Sequence, residues 1–117
     1  MLIEAHATML IRAIINVIDN AIKYSASGTV VTVRIERTCD AQLGLHVTDQ
    51  GIGMSEETVR RLFELFFQAE RGRGPDNGVG LGMPFVKAVV ERHGGAVEVH
   101  SALGKGTDFV VRVRGKR

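Results

Sequence analysis

The sequence predicts a two-layer α/β sandwich (α+β): three helices on one face of a four-stranded sheet, in a single domain over residues 1–117. Three observations lead there. A helical apolar period fills the start of the chain, two pairs of alternating strand-like stretches follow, and a glycine-rich aperiodic stretch separates the pairs. A length of 117 residues suits one domain and leaves no room for a second. At 44% hydrophobic and 24% charged the composition is that of a globular chain and excludes disorder. One cysteine, Cys39, excludes an internal disulfide framework and a cysteine-based zinc site. The net charge of +2 lacks the clustered basic excess of a nucleic-acid binder, so no nucleic-acid partner is expected. No apolar run approaches the roughly 18 residues of a membrane span, and no basic-then-apolar leader opens the chain.

The first helix is expected from about Ala5 to Ser25. Leu10, Ile11, Ile14, Ile15, Val17, Ile18, Ala21 and Ile22 cover more than half its circumference, and Asn16, Asn20 and Lys23 line one polar edge at i, i+4, i+7. Ala26-Ser27-Gly28 is expected to end it, with the glycine as a left-handed cap. Thr29 to Thr38 alternates as a strand, with Val31, Val33 and Ile35 on one face. Leu43, Leu45 and Val47 alternate likewise after a turn near Cys39-Asp40-Ala41. Asp49 shares the parity of Leu45 and Val47, so a carboxylate points to the buried side, which is costly unless something binds it. Ser55-Glu56-Glu57 caps a short helix ending near Leu62. Phe63 to Gly80 has no sustained period, and a stretch this long inside a compact domain reads as a functional loop or lid. A helix resumes near Gly82, tolerates Pro84 in its first turn, and stops at His93-Gly94-Gly95. Val97 and Val99, then Phe109, Val111 and Val113, mark two closing strands linked by a hairpin turn at Gly104-Lys105-Gly106.

Glycine concentrates where chemistry is expected: seven of the 14 lie between Gly51 and Gly82. Three constellations stand out. The amide oxygens of Asn16 and Asn20 suit Mg²⁺, and Lys23 one turn on offers a point charge to phosphates, although the same residues also read as the polar edge of an amphipathic helix. Asp49-Gln50-Gly51-Ile52-Gly53-Met54 sets a buried-side acceptor before glycines that admit a flat ring, and alone it equally describes a tight turn. Gly78-Val79-Gly80-Leu81-Gly82 runs into a helix start, where free N–H groups attract phosphate. No Gly-Lys-Ser/Thr closes it as a Walker loop, and no strand leads directly into it.

Taken in order, Asn16 to Ser25, Asp49 to Met54, Phe63-Glu64-Leu65-Phe66-Phe67-Gln68, Gly78 to Gly82 and Glu91-Arg92-His93-Gly94-Gly95 resemble the ATP-binding catalytic domain of sensor histidine kinases. They match its asparagine box, first glycine box, phenylalanine box and second glycine box, and Ser101 to Phe109 resembles its closing hairpin. The resemblance covers nearly the whole chain. It implies a Bergerat ATP-binding fold with a flexible ATP lid, and ATP and Mg²⁺ as cofactors. Asn20, with Asn16, would hold the metal; Lys23 would meet phosphates and Tyr24 would border the nucleotide. Asp49 would accept from the adenine amino group, while Gly51, Gly53 and Met54 let the ring in. Gly78, Gly80, Leu81 and Gly82 would serve the phosphates. Glu70 to Val79 would be the lid, ordering as nucleotide binds.

Departures from the family pattern matter too. Gln68 stands where many relatives carry arginine, leaving the γ-phosphate to Arg71 or Arg73, which also read as solvated lid charge. Pro84-Phe85 replaces a small aliphatic pair, and His6 stands where an acidic cap is common. A phosphoacceptor histidine is usually followed by an acidic residue. The four here are followed by Ala7, Val47, Gly94 and Ser101, and His46 and His100 read as outward strand positions. The expectation is therefore a fragment of a longer, cytoplasmic-facing kinase. Its partners would be a helical dimerisation and phosphoacceptor domain and a downstream response regulator, with membrane contact only through other parts of the protein.

Three other functions stand beside this one. Gyrase, mismatch-repair and heat-shock chaperone ATPases place a glutamate general base where Asn16 stands, and a neutral amide cannot take a proton from water. An anti-sigma-type serine kinase and a non-catalytic nucleotide-binding module are the remaining alternatives. Finally, Met1-Leu2-Ile3-Glu4 is short for the strand structure that relatives carry ahead of the first helix. One sheet edge is thus expected to be poorly covered, giving weak self-association or a short edge strand from those four residues.

Overall fold

A computed structural model of the chain describes residues 5–25, 27–37, 41–65 and 82–115. In chain order these form α1 (Ala7–Tyr24), β1 (Thr32–Arg37), β2 (Gln42–Asp49), α2 (Glu56–Arg61), α3 (Gly82–Arg92), β3 (Ala96–Ser101) and β4 (Thr107–Arg114). The strands make one antiparallel sheet in the order β1-β2-β4-β3. The chain therefore leaves β2 through two helices, reaches the far edge as β3, and returns by a hairpin to fill the middle. The helices lie over β2, β4 and β3, giving the expected two layers.

The helices form where capping and period agree. Ser55 Oγ accepts the Thr58 N–H at 3.2 Å, Glu56 and Glu57 sit in the first turn of α2, and Arg60 and Arg61 in its last, all favourable to the helix dipole. At the end of α3 the N–H groups of Gly94 and Gly95 donate to Glu91 and Val90 carbonyls, with Gly94 in the left-handed region. The core lies between Ala13, Val17 and Ala21 of α1, Val86, Val89 and Val90 of α3, and Val47, Phe109, Val111 and Val113 of the sheet. The small residues of α1 recur every fourth position, so the two helices approach closely.

Some boundaries and exposures differ from expectation. The C-cap of α1 is Ser25, in extended conformation, with its Oγ donating to the Ala21 carbonyl at 2.8 Å. Gly28 is left-handed, φ 81°, but lies three residues further on, in the turn toward β1, and so does not cap the helix. The first strand is shorter than Thr29–Thr38, and every residue of it is exposed. Val33 and Ile35 share the helix-facing side with their partners Val47 and Leu45, yet no described helix lies above them. The buried stripe of α1 is also narrower than its apolar pattern, for Ile11, Ile15 and Ile22 are half or more exposed. Met1–Glu4, the Cys39-Asp40 part of the turn, Phe66–Gln68 and the expected lid, residues 70–79, lie outside the described residues.

Candidate functional site

The upper end of the sheet departs from its apolar pattern. Thr107 of β4 pairs with Asp49 of β2 on one side and Ser101 of β3 on the other, so three polar residues form one cross-strand row on the helix-facing side. Below it that face carries Leu45, Val47, Val97, Val99, Phe109 and Val111. Asp49 is 5% exposed and Thr107 7%. The Gly51 N–H donates to Asp49 Oδ1 at 2.8 Å. Burial pushes the Asp49 carboxyl above the usual carboxylate range, and hydrogen bonds from the Gly51 and Thr107 backbone N–H groups offset this only partly. An ionised carboxylate has about four lone-pair sites. Among the described residues two backbone donors engage Asp49, fewer than the acceptor sites of an ionised carboxylate.

Residues 50–54 join this row to the other elements. Ser25 and Gly51 form a bridge, and the Ile52 N–H donates to the Tyr24 carbonyl at 3.3 Å. A Cβ on Gly51 would collide with that carbonyl. Gly53, at φ 73°, faces the Ala102 carbonyl with equally little room, so neither position accepts a side chain. The Ile52 carbonyl accepts from Gly104 N–H at 2.8 Å, and the Met54 N–H donates to Ser101 Oγ at 2.8 Å. The loop is thus sewn between the end of α1 and the β3–β4 hairpin. Tyr24 is half-buried there, and burial raises its phenol pKa. Asn16, Asn20 and Lys23 occupy the last two to three turns of the same helix and are half-buried.

The candidate residues therefore divide. The structure brings Tyr24, Asp49, Gly51, Gly53 and Met54 together, with Asn16, Asn20 and Lys23 on the helix that ends against them. Gly82 opens α3, is exposed, and has open space where a Cβ would stand, so its packing against the described residues does not demand glycine. Arg71, Arg73, Gly78, Gly80 and Leu81 lie outside the described residues. Among the described residues no group of three His, Cys, Asp or Glu side chains could hold a metal.

Two arrangements were missed by the sequence reading. Ser101 and Thr107 belong to the row, and their signal was the same parity that singled out Asp49, since Ser101 alternates with Val97 and Val99 and Thr107 with Phe109. On the opposite sheet face His46 points outward as expected but is only 8% exposed. Its Nε2 lies 3.0 Å from Glu36 and its Nδ1 3.5 Å from Asp108, so it is held between carboxylates of the two neighbouring strands. A cavity of about 460 Å³ at the other end of α1 is lined by Ala5, His6, Met9, Val89, Arg92 and His93. Its polar groups fasten the helices together: the His6 N–H donates to His93 Nε2 at 3.0 Å, and His93 Nδ1 donates to the Val89 carbonyl at 2.8 Å.

An antiparallel sheet under helices, with a buried carboxylate and a glycine loop at one end, is the framework of one ATPase class. The chain belongs to that family, the histidine kinase-, DNA gyrase B- and HSP90-like ATPases, with a match over residues 5–117. It is 38% identical over 105 residues to the sensor-like histidine kinase SenX3 of Mycobacterium bovis, covering 89% of this chain and 25% of that protein. Among solved structures it resembles the mycobacterial sensor histidine kinase MprB, with a TM-score of 0.86 and 35% identity over 97% of this chain and 78% of that one. It also resembles full-length ShkA in complex with AMPPNP, with a TM-score of 0.77 and 28% identity over 90% of this chain and 21% of that one. The chain thus spans about a quarter of the length of the curated relative.

Proposed function

We propose that this chain binds ATP with Mg²⁺ and supplies the γ-phosphoryl group to a histidine on a separate helical dimerisation and phosphoacceptor domain, with a response regulator downstream. The observation that carries the reading is Asp49. A buried carboxylate with acceptor capacity to spare among the described residues, beside two glycines that cannot bear a side chain, suits a flat base carrying an amino group. Similarity to ShkA, solved with an ATP analogue, supports the same use of the fold.

In this reading Asp49 accepts from the adenine amino group, Gly51, Gly53 and Met54 shape the ring's seat, and Tyr24 borders it. Asn20, with Asn16, directs amide oxygens at Mg²⁺, and Lys23 places its ammonium near the phosphates. The metal, when bound, neutralises phosphate charge and aligns the γ-phosphoryl group. Gly78, Gly80, Leu81, Gly82 and either Arg71 or Arg73 complete the phosphate side. The protein's contribution is positioning and electrostatics, with no covalent intermediate on the chain. Hydrolysis is disfavoured because Asn16 is neutral and cannot serve as a base toward water. The test is calorimetry with ATP and Mg²⁺ on the parent chain and Asp49→Ala. Losing a charge-assisted hydrogen bond of about 1.5–3 kcal/mol weakens binding roughly ten- to a hundred-fold. Equal affinity in the two proteins contradicts the assignment of Asp49.

A further inference from the structure

Ser101 stands where three pieces of backbone meet. Its Oγ accepts the Met54 N–H at 2.8 Å, lies 3.0 Å from the Gly106 carbonyl oxygen, and lies 2.8 Å from Thr107 Oγ1. One hydroxyl hydrogen cannot serve both oxygens. The Gly106 carbonyl can only accept, whereas the Thr107 hydroxyl can do either. All donors and acceptors are satisfied in one arrangement: Ser101 donates to Gly106, and Thr107 donates to Ser101. The second lone pair of Ser101 then takes the Met54 N–H. Reversing the Ser101–Thr107 bond strips the Gly106 carbonyl of this donor, and Gly106 is buried. With its hydrogen committed, Thr107 Oγ1 is left as an acceptor, next in the row to the Asp49 carboxylate.

We propose that Ser101 is a positioning residue of the base site. It ties the 50–54 loop to the 102–106 turn and fixes the hydrogen polarity of Thr107. The row then presents acceptors alone, and favours a purine with an amino group at the contacted edge over one with a carbonyl there. The inference rests on the nucleotide-binding reading above, and extends it from Asp49 to a residue that need not touch the base.

Calorimetry with ADP and GDP on the parent chain and on Ser101→Ala, with a thermal melt of each, tests it. The parent is expected to prefer ADP. Ser101→Ala is expected to weaken ADP binding about five- to tenfold and to narrow the preference over GDP, because the Thr107 hydroxyl is then free to turn and donate. If Ser101→Ala does not fold, Ser101→Cys keeps the shape with a weak donor and is expected to narrow the preference likewise. A parent that binds neither nucleotide overturns the nucleotide-binding reading and this inference with it. A parent that prefers ADP, with a folded variant of unchanged preference, overturns the inference alone. Equal weakening of both nucleotides with a lowered melting temperature has the same meaning, since it is what a purely structural tie produces.

Discussion

Asp49 shows how one residue couples folding and binding in opposite senses. Its folded carboxyl is raised above the ordinary value, chiefly by burial. A raised acid favours the folded state in its protonated form. Its contribution to stability is therefore full below the unfolded carboxylate range and is lost as pH rises through the folded value. At neutral pH its ionisation works against folding of the nucleotide-free chain. The base site needs the ionised form, so ADP affinity should fall on acidification, starting above the ordinary carboxylate range, and the same fall should be absent in Asp49→Ala. Calorimetry across that window checks this; a parent affinity independent of pH contradicts it. Asp49 was legible in the sequence because burying a carboxylate is expensive enough to flag the position. Ser101 and Thr107 share its parity, but a hydroxyl is cheap to bury beside a carbonyl, so nothing in the pattern distinguished them from ordinary strand residues.

At the scale of elements, period and capping were readable, whereas coverage was not. The 3.6-residue pattern of α1 locates the helix to within two residues at its start, yet its isoleucines span an arc wider than the surface that receives them. Ala13, Val17 and Ala21 meet α3, and Ile11, Ile15 and Ile22 do not enter the core. Alternation likewise found β1 but could not show that the described helices leave it bare, with Arg34, Glu36 and Arg37 along a charged edge of the kind that discourages pairing. The division of α1 and α3 is testable by urea denaturation. Val89→Ala, at a fully buried position, should cost roughly 2 kcal/mol. Ile15→Ser, at a position 50% exposed, should stay within about 0.5 kcal/mol of the parent. Similar losses from both would place Ile15 in the core and contradict this packing.

For the molecule as a whole, the ordered boxes carried the family and the fold, while the chain spans only a quarter of the length of a relative such as SenX3. None of the four histidines is followed by an acidic residue. His6 caps α1 through its ring, His93 engages both ring nitrogens between the helices, His46 is wedged between Glu36 and Asp108, and His100 lies 3.3 Å from Glu98. The purified chain incubated with radiolabelled ATP should therefore accumulate no acid-labile phosphate, and labelled phosphohistidine on it would contradict the proposed division of labour. We infer that an adenine nucleotide seats where the end of α1, the 50–54 loop and the Asp49–Thr107–Ser101 row converge. Titrating the isotopically labelled chain with ADP and Mg²⁺ by NMR addresses it most directly. The largest amide shifts are predicted at Asn20, Gly51, Gly53 and Thr107, with Arg34 and His46 on the outer sheet face and the His6–His93 end unmoved. No shifts at saturating nucleotide, or shifts centred on either of those two places, would contradict the account.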